Sequence, residues 1–385
     1  MKIFYISTFY PLRGGIAHFN ALLFEELQKR GHSLQAITFS RQYPKLFFPG
    51  KSQEELASPT EEELRPQAEI LLDSINPLSW LSVGLRVYEG SPEILLFKYW
   101  IPFFAPAYFV ISLIAKLRRN TKVIFILDNF KPHEKRFGDS LLLWLATRLT
   151  DGYIAMSDLV ERDLKIALPN ATYVKSPHPI YHIFGNPISK TDARRSLNLN
   201  DDEDVLLFFG YIRRYKGLDI LLKAMPEIIS KRPKVKLIIA GEFYGDEAFY
   251  KEKISQLGIA PNLLLATDYI PTGEVAKFFS AADLAVLPYR SATQSGIVQI
   301  AYHFGLPALV TDVGGLSEVV LHKKTGVVVL PESPKAIVDG VEEFFEHRTS
   351  HNFHEAIKNE RVKYSWSHFA ESLEKLTQLL HPKNL

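Results

Sequence analysis

Two stretches of the chain hold side chains suited to an anionic ligand. In GYIRRYKGLDILLKA, residues 210–224, Arg213, Arg214 and Lys216 stand between an apolar run and a helix-spaced one. Arginine offers a planar two-pronged donor and lysine a point charge, which fits phosphate oxygens; taken alone, the trio is equally a solvated basic turn. The second stretch, 283–318, is DLAVLPYRSATQSGIVQIAYHFGLPALVTDVGGLSE. Leu284 to Leu287 reads as a buried strand and Pro288 to Ser295 as a loop rich in turn formers and hydroxyls. Gly296 to Phe304 has helical spacing, Gly305 ends it, and Ala308 to Thr311 starts the next strand. A loop that opens a helix at the carboxyl end of a parallel strand is where an open α/β sheet binds phosphorylated ligands. Thr293, Ser295 and Gly296 supply hydroxyls and backbone amides for that task. The two stretches together favour the anion-binding reading over the solvated turn.

Positioning such loops requires a scaffold, and the rest of the chain predicts one. Lys2 to Ser7 is an apolar strand, Thr8 to Gly15 a loop ending in Gly14-Gly15, Ile16 to Arg30 a helix, and Ser33 to Thr38 a strand. Gly14 and Gly15 would let backbone amides approach an anion at the helix start, or simply make a tight turn; the three-glycine dinucleotide fingerprint is incomplete. Arg41 to Glu69 is polar and proline-spotted, a surface loop or a mobile segment. Strands at Ile94 to Phe97, Val123 to Leu127 and Gly152 to Ala155 alternate with helices near 105–119, 141–149 and 159–168. Tyr173 to Asn200, with its prolines, reads as a hinge. Alternation resumes at Val205 and runs through strands at 236–240 and 263–266 and helices at 218–229, 248–257 and 274–281. The expected class is α/β, with two doubly wound parallel sheets. Trp366 to Leu380 is a helix with one apolar face, Phe369, Leu373, Leu376 and Leu380.

Bulk properties exclude several classes. At 385 residues the chain holds two ordinary domains. Lys+Arg 45 against Asp+Glu 43 disfavours a nucleic-acid binder working by bulk charge. The absence of cysteine excludes disulfides, thiolate metal sites and a cysteine nucleophile, and fits a reducing cytoplasm. The histidines are scattered and no Asp-x-Asp triplet appears, so no metal site is expected. MKIFYIST lacks the form of a secretory signal. The apolar stretch 99–115 is short and carries two prolines, which makes it a packed helix rather than a membrane span.

The layout of 283–318, with its junction AYHFGLPALVTD and its GGLSE, resembles the donor segment of family 4 retaining glycosyltransferases of GT-B architecture, and GYIRRYKGLDILLKA is a second point of likeness. The resemblance is weak in the first half and clear from Val205 onward. It implies two Rossmann-like domains, 1–180 on the acceptor side and 181–365 on the nucleotide-sugar side, with helix 366–385 crossing back to the first. It further implies that Arg213 or Arg214, with Lys216, neutralises the donor diphosphate, joined by Gly15, Ser295 and Gly296. Such cations act because the leaving diphosphate gains charge as the glycosidic bond breaks. His133, in DNFKPHEKR, matches a histidine that faces the donor sugar, with Glu134 beside it as a second polar candidate. Glu318 matches a glutamate after the double glycine. Ile270 lies where the backbone meets the nucleobase edge. The family's glutamate-x7-glutamate motif would place acids at 291 and 299, where this chain has Ser291 and Gln299; Gln294 or Ser295 is the candidate substitute.

The resemblance therefore implies metal-independent transfer of a sugar, with retention, from a nucleotide-diphosphate sugar to a glycan, glycolipid or lipid-linked acceptor. No cofactor and no nucleic acid are expected. Peripheral contact with the inner face of the membrane is an expectation attached to the aromatics between Trp100 and Phe109 and the basic KLRRNTK, residues that serve equally as a packed helix with a solvated end. Two other classes share the architecture: a GT-B nucleotide-sugar epimerase, and a catalytically silent nucleotide-sugar-binding module, which the missing acids would suit.

Overall fold

The computed structural model describes residues 1–44, 53, 66–118, 120–131, 138–245 and 247–381. His133, Glu134 and most of the 41–69 loop lie outside them. The chain divides into two compact units, Met1–His178 with Ser365–Leu385, and Pro179–Tyr364.

Unit 1 runs β1 (Lys2–Ile6), α1 (Gly15–Lys29), β2 (Ser33–Arg41), β3 (Ala68–Asp73), α2 (Pro77–Gly90), β4 (Ile94–Tyr99), α3 (Ala105–Ala115), β5 (Lys122–Leu127), α4 (Asp139–Thr147), β6 (Gly152–Ala155), α5 (Asp158–Ala167) and β7 (Thr172–Lys175). The seven strands form a parallel sheet in the order β3-β2-β1-β4-β5-β6-β7. Strands such as ILLFKY and KVIFIL are apolar almost throughout because helices cover both faces of a parallel sheet. Strand order reverses between β1 and β4, so the crevice of this sheet lies at their carboxyl ends.

Two elements of unit 1 go beyond the sequence expectations. Residues 68–73 form the edge strand β3, which takes Ala68 and Glu69 out of the expected loop, and 77–90 form α2, capped by Asn76 accepting the Leu78 amide. The aromatics ahead of and within α3 are core: Trp100, Phe104 and Tyr108 are buried, Phe97 and Tyr108 lying 4.4 Å apart. Phe103 and Phe109 are half-buried. Among the described residues, no helix is long and apolar enough to cross a membrane.

Unit 2 runs α6 (Lys190–Ser196), β8 (Asp204–Phe209), α7 (Leu218–Lys231), β9 (Val235–Ala240), α8 (Glu247–Leu257), β10 (Leu263–Ala266), α9 (Val275–Ala281), β11 (Leu284–Leu287), α10 (Gly296–His303), β12 (Ala308–Thr311), α11 (Leu316–Val319), β13 (Gly326–Val329), α12 (Pro334–His347) and α13 (Phe353–Glu360). Its six parallel strands are ordered β10-β9-β8-β11-β12-β13. Here the order reverses between β8 and β11, the two strands whose following loops carry the basic and hydroxyl-rich motifs.

The last helix, α14 (Trp366–Leu380), belongs to unit 1 and packs on β6, β7 and α1. Phe19 of α1 meets Trp366 and Phe369 edge-on at 5.1 and 5.4 Å. Arg30 grips Glu374 with two hydrogen bonds of 3.0 and 2.8 Å, and those bonds hold the carboxyl down to about 2.

Candidate functional site

In unit 2 the loop after β8 coils once, at Arg214–Lys216, before α7 begins. Gly217 caps that helix with φ 69°, and a Cβ there would overlap the Pro288 carbonyl oxygen. Only glycine lets the β8 loop lie this close to the β11 loop. Arg290 then ties the two loops together. Its amide donates to the Tyr215 carbonyl at 2.7 Å, and its guanidinium donates to the Arg214 carbonyl at 2.7 Å and to both carboxylate oxygens of Asp219 at 2.7 and 2.8 Å. Burial pushes the Asp219 carboxyl up, but the Arg290 hydrogen bonds outweigh it and leave the group below its ordinary range. Sequence reasoning missed this clamp. Asp219 lies in the first turn of a helix, and its partner is 71 residues away.

Lys216 is drawn inward by this construction and is 7% exposed. A Cβ on Gly210 would lie 3.0 Å from Lys216 Nζ and 3.1 Å from Ile297 Cδ1, so the ammonium and the first turn of α10 flank one glycine. The Tyr289 ring centroid is 5.7 Å from Nζ. No carboxylate among the described residues pairs with this ammonium; burial first, and the Arg213 charge second, bring its pKa down to about 7. Of the two neighbouring arginines, Arg213 is thus the one whose charge Lys216 feels, and its guanidinium lies 4.8 Å over the Tyr244 ring. Arg214 is exposed and contributes its carbonyl to the clamp.

The hydroxyl-rich loop ends at Ser295, which caps α10: its Oγ accepts the Ile297 amide at 3.2 Å and lies 3.4 Å from the Tyr289 hydroxyl. Capping satisfies one of the orphan amides of the helix start, and the remaining ones give this end its positive character. Thr311 donates to the Tyr289 carbonyl at 2.6 Å, which fixes the loop root to β12. Thr293 is buried, while Ser291, Gln294 and Gly296 are half-buried. Gln299, also on α10, is 1% exposed, and its Oε1 has no hydrogen-bond partner among the described residues.

The structure therefore brings Lys216, Arg213, Ser295 and Gly296 to the carboxyl ends of β8 and β11, with Ser291, Gln294 and Gln299 on the same loop and helix. Ile270 follows β10 and Glu318 sits in α11 after β12, both half-buried at that end of the sheet. Gly15 is the first residue of α1 in unit 1, preceded by Gly14 at φ 110°. A cavity of about 740 Å³ in unit 2 opens at the other, amino end of the strands. The cations lining it are engaged, Arg194 by Asp283 at 2.9 Å and Arg348 by Asp204 at 3.0 Å, so it does not compete as the anion site. Among the described residues, no group of three or more His, Cys, Asp or Glu could hold a metal ion.

The profile of the family "Glycosyl transferases group 1" matches residues 189–361. An uncharacterized glycosyltransferase of Methanocaldococcus jannaschii is 33% identical over 186 residues, covering 47% of this chain and 46% of its own length. A lipopolysaccharide core biosynthesis mannosyltransferase of Rhizobium meliloti is 29% identical over 43% of this chain and 48% of its own. The chain thus spans about half the length of these relatives. The crystal structure of Anabaena HepE in complex with UDP and glucose superposes with a TM-score of 0.76, covering 97% of this chain and 98% of that one at 16% identity, a likeness of fold. Both units are Rossmann-like domains of GT-B architecture, and residues 189–361 are similar to the group 1 glycosyltransferases.

Proposed function

We propose that the chain transfers a sugar from a nucleotide-diphosphate sugar to a glycan or lipid-linked acceptor with retention and without a metal. The observation that carries this is Lys216, a buried ammonium without a counter-ion among the described residues, set beside Gly210 and the start of α10. Burying a lone cation is costly, and a diphosphate would supply the missing charge at that spot. Arg213 and the α10 amides would add stabilisation that grows as the bond to the leaving phosphate breaks. In this reading the leaving phosphate takes the acceptor's proton on the same face, which needs no glycosidase-type carboxylate pair. Unit 2 serves as the donor side, unit 1 as the acceptor side, and the work is done at the cytoplasmic face of the membrane. The relatives support this direction, one being named a mannosyltransferase of lipopolysaccharide core biosynthesis and one structure holding UDP and glucose.

The test is a thermal-shift screen with UDP, GDP, ADP, dTDP and CMP. A ligand that binds only the folded protein raises its melting temperature, so one nucleotide should stand out in wild type and lose its effect in Lys216→Met. Melting temperatures unmoved by every nucleotide would contradict the reading. Turnover separates the neighbouring classes: transfer consumes donor only with acceptor, an epimerase needs no acceptor, and a silent module consumes none. The unpartnered amide oxygen of Gln299, where the family would have an acid, gives the silent module its one specific support.

A further inference from the structure

Unit 1 turns an uncharged helix layer to solvent. Residues 74–85, 99–115 and 140–147 contain no Asp, Glu, Lys or Arg. These segments build most of α2, α3 and α4, which pack side by side on one face of the sheet. A Cβ on Gly84 of α2 would lie 3.1 Å from Ile114 Cβ of α3, and the Arg118 guanidinium lies 4.4 Å over the Tyr88 ring. The inner faces are ordinary core, with Val83, Val87, Tyr108 and Ile111 buried. The outer faces are not ordinary surface. Leu78 is 74% exposed, Leu117 71% and Trp144 56%, with Leu81, Leu85, Leu113 and Leu141 exposed among them. A surface helix carries charges on its outer face, and isolated exposed leucines need no explanation, but three adjacent helices apolar on their outer faces mark a docking surface.

One edge of this layer is basic. Arg118 and Arg148 follow the carboxyl ends of α3 and α4, and Lys122 opens β5 at the same end; none has a carboxylate partner among the described residues. Lys116 is paired with Asp151 at 2.7 Å. Of the acids at that end, Asp151 is taken by Lys116, and Glu89 and Glu93 stand against Arg118, Lys122 and Arg148, which leaves an excess of cations. A second copy of the chain would bring the same excess of cations to the contact, whereas a negatively charged lipid surface complements all of them at once.

We propose that the outer face of α2, α3 and α4 docks on an anionic bilayer. The leucines and Trp144 reach the boundary between headgroups and acyl chains, and Arg118, Lys122 and Arg148 meet the lipid phosphates. This inference stands independently of the donor reading of unit 2.

The test is co-sedimentation of the full chain with vesicles of equal parts phosphatidylglycerol and phosphatidylcholine, against phosphatidylcholine alone. Binding should require the anionic lipid, weaken with salt and shift tryptophan emission to the blue. Trp144→Phe should remove that shift. The double variant Leu81→Ser/Leu85→Ser should bind more than about ten-fold more weakly, and Arg118→Ala about five-fold more weakly, at unchanged melting temperature. A wild-type chain that stays in the supernatant with anionic vesicles overturns the proposal. So does a blue shift that survives Trp144→Phe, since another surface would then meet the lipid. A concentration-dependent dimer that the leucine variants dissociate would assign the face to a second copy instead.

Discussion

Each unit buries one lysine beside the carboxyl end of its sheet, and the two are handled in opposite ways. In unit 1, Lys98 near the end of β4 is 1% exposed and meets Asp128 at 2.9 Å, with Nζ 3.3 Å from the Phe19 ring centroid. Burial lowers its pKa, and the Asp128 charge and hydrogen bond resist the change. In unit 2, Lys216 is 7% exposed, and the charge that bears on it among the described residues is that of Arg213. A paired buried ion is complete within the fold. An unpaired one is complete only with a ligand, which is why Lys216 and not Lys98 marks the candidate donor site.

The contrast breaks most visibly by removing each charge. Lys98→Met breaks the buried pair with Asp128 and should cost about 3 kcal/mol in urea unfolding, with Asp128→Asn on top restoring part of it. Lys216→Met strands nothing and should leave the ligand-free protein at least as stable as wild type. Equal losses for the two lysines would erase the distinction.

Next in size is a glycine comparison across the units. Gly217→Ala meets the Pro288 carbonyl and should cost about 3 kcal/mol along with the nucleotide response. Gly138→Ala, at φ 92° with open space around its Cβ, should cost only about 1 kcal/mol. Similar melting temperatures for the pair would mean that the β8 and β11 loops are not held in this close approach.

A further effect is a slope. The unfolded chain keeps the Lys216 proton up to its ordinary value of 10.5, while the folded chain releases it near 7. Between those limits the unfolded state binds more protons, so this group makes stability rise with pH, by about 1.4 kcal/mol per unit at most. Below 7 both states are protonated and the penalty is constant. The difference between wild type and Lys216→Met in denaturant unfolding should therefore shrink from pH 7 to pH 10.

Much of this was legible in the sequence, and the exceptions have physical causes. In unit 2 the strands at 263–266, 284–287 and 308–311 fall where their apolar runs and turn residues place them. The loops of Lys216 and Ser295 were legible as well, because glycine, cations and hydroxyls sit beside helix starts. In unit 1, α2 was missed because Leu78, Leu81 and Leu85 on its outer face hide the period that Val83 and Val87 would have shown. The same leucines carry the docking proposal. Edge strand β3 was missed because Glu69, Ile70 and Leu71 do not alternate cleanly between faces. The Arg290–Asp219 clamp and the lone burial of Lys216 depend on contacts between loops, which no local spacing encodes.

The most direct measurement is isothermal titration of wild type and Lys216→Met, at pH 8 in buffers of differing ionisation enthalpy, with the nucleotide that shifts melting most. A diphosphate seated against Lys216 must raise its pKa, so the wild type should take up more than about half a proton per nucleotide and the variant none. Tight binding with no proton uptake, or with the same uptake in Lys216→Met, would contradict the claim that this buried lysine receives the donor phosphate.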